Sequence, residues 1–71
     1  VTAKEIDNWF SYHTPNQEQI NKYQVIRNTA RSLAMVILDN TPSCADQTAA
    51  IRKLREAVMT ANAAIACDVS A

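Results

Sequence analysis

The residues of this 71-residue chain best suited to chemistry are rings and guanidiniums. Phe10, Tyr12 and His13 crowd into "WFSYHTP", residues 9–15, with Trp9 beside them. Arg27 and Arg31 stand four apart, and Arg52 and Arg55 three apart around Lys53, so on a helix each pair shares a face. A nucleobase needs a flat surface to stack on, worth roughly 1–3 kcal/mol per base, and a phosphate accepts the two-pronged arginine fork. The two sets together suit a ligand built of bases and phosphates. Plainer explanations stand beside that one. Trp9 and Phe10 can plug the open end of a helical hairpin, and the arginines can pair with Glu18 and Glu56. Trp9 reads best as the plug and Tyr12 as an exposed ring.

Catalytic chemistry is poorly supported. The 7 carboxylates are spread along the chain, the single histidine has no partner at metal-ligand spacing, and nothing orients His13 against Cys44 or Cys67 as a nucleophile pair would require. No catalytic residue, metal site or cofactor is expected. Lys plus Arg total 7 against 7 for Asp plus Glu, so no broad basic stripe announces DNA or RNA. A small anion held by a few placed cations remains compatible with that balance. The chain has no glycine, which removes glycine-rich phosphate loops.

Three helices must position these residues. Thr2 with Glu5 three later forms a capping-box pattern that opens a short arm, residues 2–9. Thr14 followed by Pro15, with Gln17 three after the threonine, predicts a long helix over about residues 15–39. Ile20, Tyr23, Ile26 or Arg27, Ala30, Leu33, Ala34, Ile37 and Leu38 recur there at steps of three and four. Asn40, Thr41 and Pro42 interrupt it, and Ser43 with Asp46 predicts a cap for a third helix over about residues 43–67. Its stripe is Ile51, Leu54, Val58, Ala61 and Ile65, flanked by Ala50, Ala57 and Ala64 at intervals of seven. The short turn makes the long helices antiparallel neighbours. The fold class is all-α, a single domain, with Asp68 to Ala71 trailing as a frayed end.

Size then becomes a constraint. At 7.9 kDa one core gives marginal stability. Cys44 and Cys67, at opposite ends of the third helix, would lie about 35 Å apart at 1.5 Å per residue, beyond disulfide reach. Val25, Met35, Val36 and Met59 fall off the seam between the helices. Both points favour assembly with further copies of the chain. No run reaches the roughly 18 apolar residues of a membrane span, and the first residues show neither signal-peptide nor lipidation pattern. A soluble intracellular protein is expected, with no membrane partner.

The stretches "FSYHTP", "NKYQVIRNTARSLA" and "AAIRKLREAVMTANAAIA" occur in that order and at spacing that resembles one known family. It is the anti-CBASS cyclic-oligonucleotide sponge family of tailed bacteriophages, and the likeness covers about residues 10–67. The resemblance implies an all-helical homohexamer, built from dimers, that sequesters cyclic di- and trinucleotide messengers without cleaving them, in the cytoplasm of the infected bacterial host. Phe10 and Tyr12 look like the base-stacking rings of a cyclic-dinucleotide site between two protomers, with His13 beside them and Arg27 as its basic residue. Thr29, Val25 and Arg31 match the region of a cyclic-trinucleotide site where three protomers meet. Cys67 stands where the family often carries a basic residue, so Arg52 or Arg55 is the candidate phosphate contact from that end. The competing expectation is a structural or adaptor protein that binds another protein through its off-seam apolar faces.

Overall fold

A computed structural model describes residues 1–69; Ser70 and Ala71, part of the tail expected to fray, lie outside the described residues. It holds three helices, α1 (Ala3–Trp9), α2 (Gln17–Asn40) and α3 (Ala45–Ala66), with no strand among the described residues. The all-α class is therefore shown. α1 starts on the reciprocal bonds between Thr2 and Glu5 that its sequence predicts.

The caps of the two long helices differ from expectation. α2 begins two residues later than Thr14 would have it, on Asn16, whose Oδ1 accepts from the Gln19 amide at 2.8 Å while Gln19 Oε1 accepts from the Asn16 amide at 3.0 Å. Asparagine outranks threonine at this position, and Pro15, just ahead of the cap, holds the entering chain extended. The later start also puts Gln19 where its Nε2 donates to the Ile65 carbonyl at 3.2 Å, tying the start of α2 to the end of α3. At the other end α3 is entered through Cys44 with no side-chain cap, so the predicted Ser43–Asp46 box is absent. The turn is closed from α3 instead: Gln47 Nε2 donates to the carbonyls of Leu38 at 3.3 Å and Thr41 at 3.1 Å.

The missing glycines explain how α2 stops. A helix end leaves carbonyls without amide partners, and a glycine in the left-handed region commonly supplies the turn that satisfies them. No described residue here has positive φ. Asn40 Nδ2 donates to the Val36 carbonyl at 2.8 Å and Thr41 Oγ1 to that of Ile37 at 2.6 Å, so side chains do the work.

α2 and α3 pack antiparallel along a seam of Tyr23, Ile26, Ala30, Ala34 and Ile37 against Ile51, Leu54, Val58, Ala61 and Ile65. Leu33 and Leu38, expected in that stripe, are exposed at its two edges, because 3.6 residues per turn carries them past it on opposite sides. The seam encloses no core: every described residue retains appreciable solvent exposure. The chain exposes 5831 Å², whereas a compact monomer of 7.9 kDa exposes about 4,400 Å². Its radius of gyration is 15.2 Å against about 11 Å for a compact chain of this length. With extents of 44 × 28 × 16 Å it is a single helical layer, both of whose broad faces meet solvent.

Candidate functional site

Arg27 and Arg31 of α2 face Arg55 of α3 across a shallow cleft of about 270 Å³, floored by Ala30, Ala34, Ile51 and Val58. Four residues advance a helix by little more than one turn, which sets Arg27 and Arg31 on one ridge. The antiparallel register then brings Arg55 level with them. Arg52 borders the adjoining cleft with Arg55, Glu56 and Met59. The pairing of arginines with carboxylates does not form: the ion pair among the described residues joins Lys22 and Glu18 at 3.2 Å, and none involves an arginine. The cations are thus presented to solvent over an apolar floor.

The opposite face has another character. Val25 and Thr29 border a groove of about 440 Å³ with Leu33, Ala57 and Ala61, and no charged side chain lines it. Arg31, grouped by resemblance with Val25 and Thr29, lies with Arg27 instead. Six residues separate Val25 from Arg31, about 120° around the helix at 3.6 residues per turn, which sets them on opposite sides of the seam. Within one chain the two expected trinucleotide elements belong to different faces.

The rings occupy a third region, the loop between α1 and α2 at the open end of the hairpin. Phe10 is 84% exposed and Tyr12 86% exposed, so both offer ring faces outward. Trp9 borders a recess with Thr60, Ala63, Ala64 and Cys67 on the last turns of α3, but is 51% exposed and closes off no core. The expected plug is therefore a half-covered ring resting on alanines. His13 Nε2 donates to the Asn8 carbonyl at 2.7 Å, and the Ser11 hydroxyl donates to the Asp7 carbonyl, folding the loop back on α1. Neither Phe10 nor Tyr12 borders the arginine cleft. Arg27 sits ten residues into α2, about 15 Å along the axis from its start.

Sequence reasoning passed over the amides that tie the elements together: Asn8, Gln19 and Gln47. Polar residues at helix ends ordinarily read as local caps, and only the tertiary register shows which ones cross to another helix. Asn62 carries no local sequence signal either; its Oδ1 is shielded from solvent with no hydrogen-bond partner among the described residues. The cysteines are free. Among the described residues no group of three His, Cys, Asp or Glu side chains is placed to hold a metal, and no helix is long and apolar enough to cross a membrane.

These features define an all-α hairpin domain with a ring-bearing loop at its open end and arginines on one broad face. The chain belongs to the Acb2/Tad1 hairpin-domain family, whose sequence model matches residues 2–66, and this family is known for anti-CBASS sponges. The resemblance carried by the three sequence stretches is thereby shown. No curated protein and no solved structure matches the chain significantly.

Proposed function

We propose that the protein binds cyclic di- and trinucleotide messengers stoichiometrically, as a homo-oligomer, and withholds them from CBASS immunity without breaking a bond. One observation carries this reading beyond the family assignment. The exposed rings of Phe10 and Tyr12 and the arginine cleft lie apart on one chain, while the hairpin leaves both broad faces uncovered. A second copy that brings its ring-bearing loop to the Arg27 face supplies stacking and phosphate recognition together, and buries apolar surface that the monomer cannot. Phe10, Tyr12, His13 and Arg27 are assigned to the dinucleotide, with Arg52 and Arg55 as phosphate contacts. Val25 and Thr29 are assigned to the trinucleotide, with Arg31 contributed from another copy.

The chemistry asks for affinity alone. Sequestration of a scarce messenger needs dissociation constants of about 10 nM or tighter, roughly 11 kcal/mol. Stacking of two bases and charge-assisted bonds to two phosphates are of the right order. The site of action follows the messenger, the cytoplasm of the infected bacterium. Calorimetric titration with cyclic GMP-AMP, cyclic di-AMP, cyclic di-GMP and a cyclic trinucleotide, with ligand recovered after denaturing the complex, tests the proposal. Tight binding and intact ligand support it, and converted ligand would identify an enzyme. Absence of binding at micromolar protein would favour the adaptor reading, for which the exposed Val25, Met35, Val36 and Met59 are the observation.

A further inference from the structure

We infer that Asn8 is a positioning residue, a latch that fastens the ring-bearing loop to the C-terminal end of α3 and so fixes Phe10 and Tyr12 for the ligand. This rests on the nucleotide-binding reading above, though the latch has a readout of its own. Residues 1–12 contain Ile6, Trp9 and Phe10, yet all are exposed and the one residue of the segment that is not is the polar Asn8. Both ends of Asn8 are engaged. Its Nδ2 donates across the molecule to the Cys67 carbonyl at 3.0 Å, and its own carbonyl accepts from His13 Nε2 at 2.7 Å, with the Cys67 thiol at 3.9 Å from the same oxygen.

The arrangement follows from what each element lacks. α1 has 7 residues, too few to hold a helix without tertiary support, and its packing on the hairpin is slight beside that of α2 on α3. Cys67 is the C-cap of α3, where carbonyls have no intrahelical donor. The Asn8 amide supplies that donor and gains an anchor for the arm. His13, bonded directly to the Asn8 carbonyl, then closes the loop that displays Phe10 and Tyr12. The Nδ2 bond is the contact that the Asn8 side chain itself makes to the end of α3, whereas the Cys67 thiol and His13 contacts fall on the Asn8 backbone carbonyl, which an alanine would keep.

The test is Asn8→Ala in the full chain. Alanine is the best helix former, so α1 keeps its propensity while the donor is lost. Trp9, the only tryptophan, adjoins Asn8 and reports the docking of the arm without any ligand. Expected are a red shift of Trp9 emission in the free variant and a fall of about tenfold in cyclic-dinucleotide affinity, as for one strong hydrogen bond. Cyclic-trinucleotide affinity, read as the internal control, should stay at the wild-type value. Asn8→Asp, which keeps the shape but faces an oxygen to the Cys67 carbonyl, should give the same shift. Wild-type emission in both variants overturns the latch, and a shifted emission with undiminished dinucleotide affinity overturns its role in positioning. If the wild-type chain itself binds no cyclic nucleotide, the proposed function and the positioning role fail together, and the emission comparison alone decides whether Asn8 holds the arm.

Discussion

Replacing Tyr12 by alanine separates a ring that binds from a ring that packs. The side chain is 86% exposed in the chain, in a loop outside any helix. Truncating a buried aromatic costs a fold about 3–5 kcal/mol. Tyr12 has little burial to lose, so the melting temperature of the unliganded protein should stay within about 4 °C of wild type, the shift expected of about 0.5 kcal/mol or less. Stacking against one base is worth roughly 1–3 kcal/mol, which converts to an affinity loss of about 5-fold to 150-fold for cyclic dinucleotide. Isothermal calorimetry with cyclic GMP-AMP, with light scattering on the same samples, reads both affinity and assembly. Unchanged affinity, or a large loss of thermal stability at unchanged affinity, would refute the assignment of Tyr12 to the ligand.

Arg27→Ala should weaken the dinucleotide at least as much as Tyr12→Ala, and Arg27→Lys should restore only part of it, because lysine keeps the charge and loses the fork; calorimetry decides, and a lysine variant equal to wild type would reduce Arg27 to a point charge. Bulky substitution of Thr29, on the uncharged groove, should fall mainly on trinucleotide binding, and a loss confined to dinucleotide would exchange the two site assignments. Asn16→Ala should lower stability by about 1 kcal/mol and Thr14→Ala by much less, since the observed cap is Asn16; the reverse order in chemical denaturation would restore the earlier helix start. Melting temperature should rise with protein concentration, as association of folded chains demands, and a concentration-independent melt would contradict assembly.

Much of the fold was legible because its signals are local. Helical periodicity, the Thr2–Glu5 box and the interrupting Asn40-Thr41-Pro42 needed only neighbouring residues. The two misplaced caps show where that ends. Thr14 and Asn16 both offer a side-chain oxygen with a glutamine three later, and Gln19 has the further attraction of Ile65, a partner 46 positions away. The Ser43 box lost to Gln47 for the same reason, a glutamine able to reach across to α2. Arg27 with Arg31, and Arg52 with Arg55, were legible as pairs from helix phase, but that Arg55 joins Arg27 and Arg31 while Arg52 borders the adjoining cleft is set by how α2 and α3 pack. Arg31 was assigned with Val25 and Thr29 by family position, whereas helix phase alone sets it on the other face. Trp9 read as a plug because a lone tryptophan ordinarily seeks burial, but a single helical layer has no interior to offer it. Asn8 had no signal at all, being one amide in a polar helix until α3 is folded beside it.

Binding by an assembly without chemistry is tested by titrating the wild-type protein with cyclic dinucleotide and recovering the ligand after heat denaturation. Expected is saturable binding at about 10 nM or tighter, to a species whose scattering mass exceeds that of one chain, with the ligand returned intact. A monomer that binds nothing at micromolar concentration, or a ligand returned as linear product, would contradict it.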